Sequence, residues 1–154
     1  MKSGVAAPPP TLLGCLVVKY AALSRLTYSG HSHLFVGGVE LGPVPRLAIC
    51  RPSKGSSVLL VHCGRKWRAL GTSELPSLRA AEARAERAYP GVSDRWVRTG
   101  FSKRQATAHL SSLSKGLRCS FCGRGPYQVS SMVQRRQSRI CNVCLQEFSL
   151  MQSP

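Results

Sequence analysis

The sequence predicts an α+β chain: a small antiparallel sheet carrying one helix in the order β-β-β-α-β, followed by a metal-stapled finger. Three observations point there. Residues 46–63 hold two apolar runs, RLAICR and SVLLVHC, separated by the turn-forming PSKGSS, which is the pattern of a β-hairpin. Residues 74–89 repeat apolar side chains at helical spacing through Leu75, Leu78, Ala81, Ala85 and Tyr89. Residues 118–148 hold two C-x-x-C pairs, Cys119/Cys122 and Cys141/Cys144, with eighteen residues between them.

Taken in order, residues 1–43 are expected to be a poorly ordered extension. They open on a proline run, Pro8–Pro10, and show no sustained apolar period. TLLGC, ending at Cys15, resembles a lipoprotein cleavage box, but the prolines before it spoil a signal helix. His31 and His33 would share one face of a strand. With no third ligand in view they read as solvent-facing loop histidines.

The small α+β domain is placed at 44–98. Arg46–Arg51 and Ser57–Cys63 form the hairpin, and Lys66–Leu70 with Trp67 is the third strand. Ser73 is the expected N-cap of the helix, Pro76 falls in its first turn, and Pro90-Gly91 ends it. Val92–Arg98 closes the unit as a fourth strand. Trp67, Trp96, Leu59, Val61, Leu78 and Tyr89 are the expected core; the tryptophans would otherwise serve as stacking platforms for bases. Cys50 and Cys63 are expected across from each other as buried thiols. Residues 99–117, rich in Ser, Lys and Gly, are read as a linker with a short helix near 105–113.

The finger is placed at 118–150. A two-residue gap brings both thiolates of a pair onto one ion, and four thiolates make a closed tetrahedral site, so one structural Zn²⁺ is expected on Cys119, Cys122, Cys141 and Cys144. Gly123 supplies the positive φ that a zinc knuckle needs. Two disulfides or an iron–sulfur cluster would draw on the same four residues. A disulfide across two residues is strained, and cluster spacings differ from these.

On the residues CSFCGR and ICNVCL and their spacing, segment 118–148 resembles the N-terminal zinc-binding domain of the ClpX unfoldase family. The resemblance implies a treble-clef-like module of knuckle, β-hairpin and helix. It implies the same four ligands, Val129 and Ile140 as packing positions, and a role in dimerisation and in docking substrates and adaptors. The sequence departs from that family in carrying no G-x-x-x-x-G-K-[ST] phosphate loop. The spacer is also basic, with Arg124, Arg135, Arg136 and Arg139 and no acidic residue.

Net charge is +16, with eleven basic against four acidic residues in 44–99 and eight against one in 100–154. Such a balance suits a polyanion or an acidic partner. His62 and Cys63 are adjacent and so point to opposite faces of a strand, and no carboxylate pair is apparent; a non-enzyme is expected, with no small-molecule substrate. No run of eighteen apolar residues occurs, so no membrane span is expected, and thiolates that must stay reduced favour the cytoplasm. The expected function is a non-catalytic zinc module that binds a protein partner or self-associates; the alternative is nucleic-acid binding through the basic finger.

Overall fold

The computed structural model describes residues 5–113, 117–126 and 128–152. The chain divides into two compact units between Ala106 and Thr107. Both contain antiparallel strands, and three α-helices are present among the described residues.

The first unit is built on a six-stranded sheet of β1 (Thr11–Leu12), β2 (Cys15–Ala22), β5 (Arg46–Arg51), β6 (Val58–Cys63), β7 (Ala69–Leu75) and β8 (Val97–Arg98). Strands β1, β2, β5, β6 and β7 lie in that order, and β8 pairs with β2. Between β2 and β5, β3 (Phe35–Val36) and β4 (Val39–Glu40) form a separate two-stranded ribbon. Helix α1 (Leu78–Ala88) covers one face of the sheet.

The sheet is therefore larger than the expected β-β-β-α-β unit. The stretch expected as a poorly ordered extension contributes β2, which pairs with β5 from Leu16↔Arg51 to Ala22↔Arg46. A bulge between Val17 and Lys19 shifts the phase of β2 midway. Residues on either side of it obey alternation separately, and the whole strand does not. The chain that follows β2 is tied down as well. The Tyr28 hydroxyl donates to the Leu41 carbonyl at 3.0 Å, and the Tyr89 hydroxyl accepts from the Val44 N–H at 2.9 Å.

Two apolar layers sandwich the sheet. Leu47, Ile49, Val58, Leu60 and Leu75 pack under Ala81, Ala85, Ala88 and Tyr89. On the opposite face Leu12, Cys15, Val17, Ala48, Cys50, Val61 and Cys63 surround Trp67. This double cover explains why Leu47 to Cys50 are all buried in succession. Of the other expected core residues, Leu59 is partly buried in the second layer, and Leu78 and Trp96 are partly buried against the first.

Several boundaries differ from expectation. Trp67 is not in a strand. It sits at φ +64° in a turn closed by Gly64 N–H to Arg68 C=O, 2.8 Å. Only 6% of it is exposed. Its indole N–H donates to the Ala6 carbonyl at 3.0 Å, Tyr20 meets it edge-on, and the Arg46 guanidinium lies 5.0 Å from the ring centre. It is a core anchor, not a stacking platform. Strand β7 runs on to Leu75, so Ser73 lies within the sheet and Ser77 is the N-cap, accepting the Ala80 N–H at 3.1 Å. The expected strand 92–98 is a 3₁₀ turn (Val92–Asp94) followed by the two residues of β8. The Glu86 carboxylate takes the N–H groups of Gly91 and Ser93 and so turns the chain there. Cys50 opposes Leu59 and Cys63 opposes Arg46, so the two thiols do not face each other. Both are free and buried, and burial pushes the Cys63 thiol up to about 12.

Segment 99–113 contains the short helix expected near 105–113, and its start is tied to the sheet. Thr99 donates from its N–H and its hydroxyl to β2 carbonyls, and Phe101 packs on the second layer. Ser102 and Gln105 exchange side-chain and backbone bonds at 3.1 and 2.8 Å, a capping box that starts α2 (Lys103–Leu113). Residues 114–116 of the expected linker lie outside the described residues. In the second unit, β9 (Met132–Arg135) and β10 (Ser138–Cys141) form a hairpin that leads directly into α3 (Asn142–Met151).

Candidate metal centre

Each cysteine of the second unit is placed by a different local device. Cys119 and Cys122 flank a tight turn closed by Gly123 N–H to Cys119 C=O at 3.0 Å, with Gly123 at φ +76°. A residue with a Cβ would resist that angle. The turn is tied to the hairpin by Ser120, whose N–H donates to the Arg139 carbonyl at 2.8 Å and whose hydroxyl oxygen accepts the Arg139 N–H at 2.9 Å. Cys141 ends β10 and is also the N-cap of α3, so its sulfur accepts the Cys144 N–H at 3.5 Å. Asn142 fastens the other end of the hairpin by accepting the N–H groups of Ser130 and Ser131.

These devices bring the four sulfurs within 4.8 Å of one another. Cys122 and Cys141 are 3.7 Å apart, and Cys119 and Cys144 are 3.9 Å apart. A tetrahedral ion with Zn–S bonds of about 2.3 Å sets its sulfurs about 3.8 Å apart. Disulfide sulfurs would be about 2.0 Å apart, and all four cysteines are free. An iron–sulfur cluster would spread its thiolates around several metals, wider than this group. The four cysteines are close enough to coordinate one zinc ion.

The electrostatics suit that ion. Four thiolates on Zn²⁺ leave a net charge of −2, which donors must offset. Burial opposes ionisation of Cys119, but N–H groups of Cys122, Cys141 and Phe121 outweigh it and draw the thiol down to about 6. The Cys144 N–H lowers Cys141 at the head of α3, where the helix dipole also favours an anion. Burial, followed by the neighbouring thiols, pushes Cys144 up to about 12, a shift that a bound cation would oppose. The Arg124 guanidinium hydrogen-bonds the Cys122 sulfur and adds a positive charge beside the site.

Cys119, Cys141 and Cys144 are buried while Cys122 is exposed. Val129, Met132, Ile140 and Val143 pack around the sulfurs. Val129 and Ile140 were expected there; Val143 is signalled by its place between Cys141 and Cys144 in sequence, whereas Met132 reaches the site only through the folded hairpin, as the cross-strand partner of Cys141. Elsewhere, His31 and His33 are exposed, and the Glu40 carboxylate accepts the His33 N–H at 3.0 Å. Among the described residues, the four cysteines are the one group of three or more His, Cys, Asp or Glu that converges on a metal-sized space. No described helix is long and apolar enough to cross a membrane.

Residues 117–151 match the family model described as the ClpX C4-type zinc finger. No curated protein and no solved structure matches the chain.

Proposed function

We propose that this ClpX-type finger is a zinc-stapled docking module that pairs with a second copy of the chain or with an adaptor protein, and that it is non-catalytic. The order of knuckle, hairpin β9–β10 and helix α3 supports a treble-clef-like reading. Four thiolates would fill the coordination of the ion and leave no open position for substrate. Thiolates of this kind persist in a reducing compartment, which favours the cytoplasm.

The observation that carries the reading is an exposed aromatic pair. Phe121 (61% exposed) and Phe148 (39%) meet edge to face at 5.2 Å. Leu145, also on α3, is exposed, as is Val133 on β9. Rings bound for water have little reason to be held together, whereas a partner would gain from burying both.

A second reading rests on Arg135 and Arg136, exposed at the hairpin turn of a spacer without acidic residues. Arg139 differs from them because its Nε is buried without a hydrogen-bond partner.

Sedimentation of the zinc-loaded full chain separates the two. Docking predicts a concentration-dependent dimer that F121S/F148S abolishes while one zinc per chain is retained. A monomer at every concentration that also captures no protein adaptor removes that reading. Nucleic-acid binding predicts instead a salt-dependent affinity whose slope R135A/R136A lowers by about two phosphate contacts.

A further inference from the structure

The first unit carries a feature that neither reading uses. Val18, Lys19, Arg51, Leu78, Arg98, Thr99, Gly100 and Phe101 line an open recess of about 260 Å³. Three of these are cationic and come from three strands: Lys19 from β2, Arg51 from the end of β5 and Arg98 from β8. Lys19 and Arg98 are cross-strand partners in register. Like charges directly opposite each other weaken a strand pair, and β8 is only two residues long. An anion beside the charges relieves this repulsion.

Among the described residues, a carboxylate offsets only one of the three charges. Glu82 of α1 pairs with Lys19, whose side chain is 14% exposed. Among the described residues no carboxylate pairs with Arg51 or Arg98. The first turn of α1, where Leu78 reaches the recess, contains no acidic residue. The helix dipole therefore adds to the positive field. The hydroxyl of Thr99 is committed to the Val17 carbonyl at 2.6 Å, and this fixes the rim. Gly100 next to it turns at φ +68°. Val18, Leu78 and Phe101 supply an apolar wall beside the cations.

The geometry points to a phosphoryl-binding site: Arg51 and Arg98 clamp a phosphate group, Lys19 lies between them, and the organic part of the ester rests on Phe101 and Leu78. Arginine suits this role because its planar fork meets two phosphate oxygens at once. The site belongs to the first unit and does not depend on the function of the finger. The phosphoryl group could belong to a free phosphate ester or to the end of a nucleic acid, and no reaction is implied.

Calorimetric titration of the zinc-loaded full chain at low salt tests it with three probes: pyrophosphate, a 5′-phosphorylated dinucleotide, and the same dinucleotide with a 5′-hydroxyl. Saturable binding of one equivalent of the phosphorylated probes is expected, weakened about tenfold or more in R51Q and in R98Q. The R65Q variant, in the exposed turn that follows β6 and away from the recess, should bind as the parent does. Comparable affinity for pyrophosphate identifies a free phosphate ester, and much tighter dinucleotide binding identifies a nucleic-acid end. Because Arg98→Gln relieves repulsion with Lys19, the unliganded variant should melt no lower than the parent, which separates ligand loss from misfolding. Equal binding of the hydroxyl dinucleotide, or phosphate affinities unchanged in both R51Q and R98Q, would overturn the site.

Discussion

His62 shows how a single side chain ties the stability of the first unit to pH. It is 1% exposed on β6, and its Nδ1 has no hydrogen-bond partner. Burial, then the charge of Arg84 on α1, holds its pKa down at about 4 from an ordinary 6.5. The imidazole is therefore neutral when folded and takes a proton more readily when unfolded. Between these two values the unfolded chain binds more protons, so stability falls as pH falls from about 6.5 towards 4, by about 3 kcal/mol in all. Urea unfolding at a series of pH values should show that slope in the parent, and His62→Leu should flatten it. The adjacent Cys63 belongs to the other face, so no proton can pass between them. That much follows from strand alternation in the sequence. The depressed pKa does not, because it requires the overlying helix.

At the level of elements, the start of α1 turns on a choice between two serines four residues apart. Ser73 and Ser77 both precede apolar positions, and the sequence around them supports either as a cap. Pairing decides it: Ser73 opposes Leu60 and Glu74 opposes Leu59, so β6 draws β7 onward until Pro76 ends the strand. Ser77→Ala should cost about 1 kcal/mol in chemical denaturation, while Ser73→Ala should stay within about 0.5 kcal/mol. A reversed ranking would return the helix to its earlier start. The hairpin β5–β6 and the existence of α1 were legible because each is an unbroken run of one period. Strand β2 was not, since its bulge breaks the period and both of its faces are covered. The cysteine site was the most legible part, because metal geometry is set by spacing within a few residues. The side chains that surround it depend on the folded hairpin.

Across the whole molecule the two units rest on different physics. The first has two apolar layers on a sheet, whereas the buried side chains around the metal site are the cysteines themselves. Structural zinc contributes on the order of 10 kcal/mol to the folding of such fingers. Chelation, or Cys141→Ser, should therefore collapse amide protection in β9, β10 and α3 and leave that of β5 and β6 intact. Hydrogen exchange would resolve this. Equal loss in both units would mean that they fold as one, and no loss in either would mean that the metal is dispensable. Cys141→Ser should be severe because that residue is both ligand and helix cap.

The position of β2 also bears on how the first unit assembles. The strand is made early and its start pairs at once with β1, yet one edge waits for β5, beyond an intervening ribbon, and the rest of the other for β8, which is synthesised only after α1. Distant pairings of this sort slow the search for the native arrangement. Until they close, the nascent segment has bare amide edges on which other chains can template. The recess around Lys19 and Arg98 is completed by that last closure, so any anion it holds would favour the finished sheet over its half-built precursors.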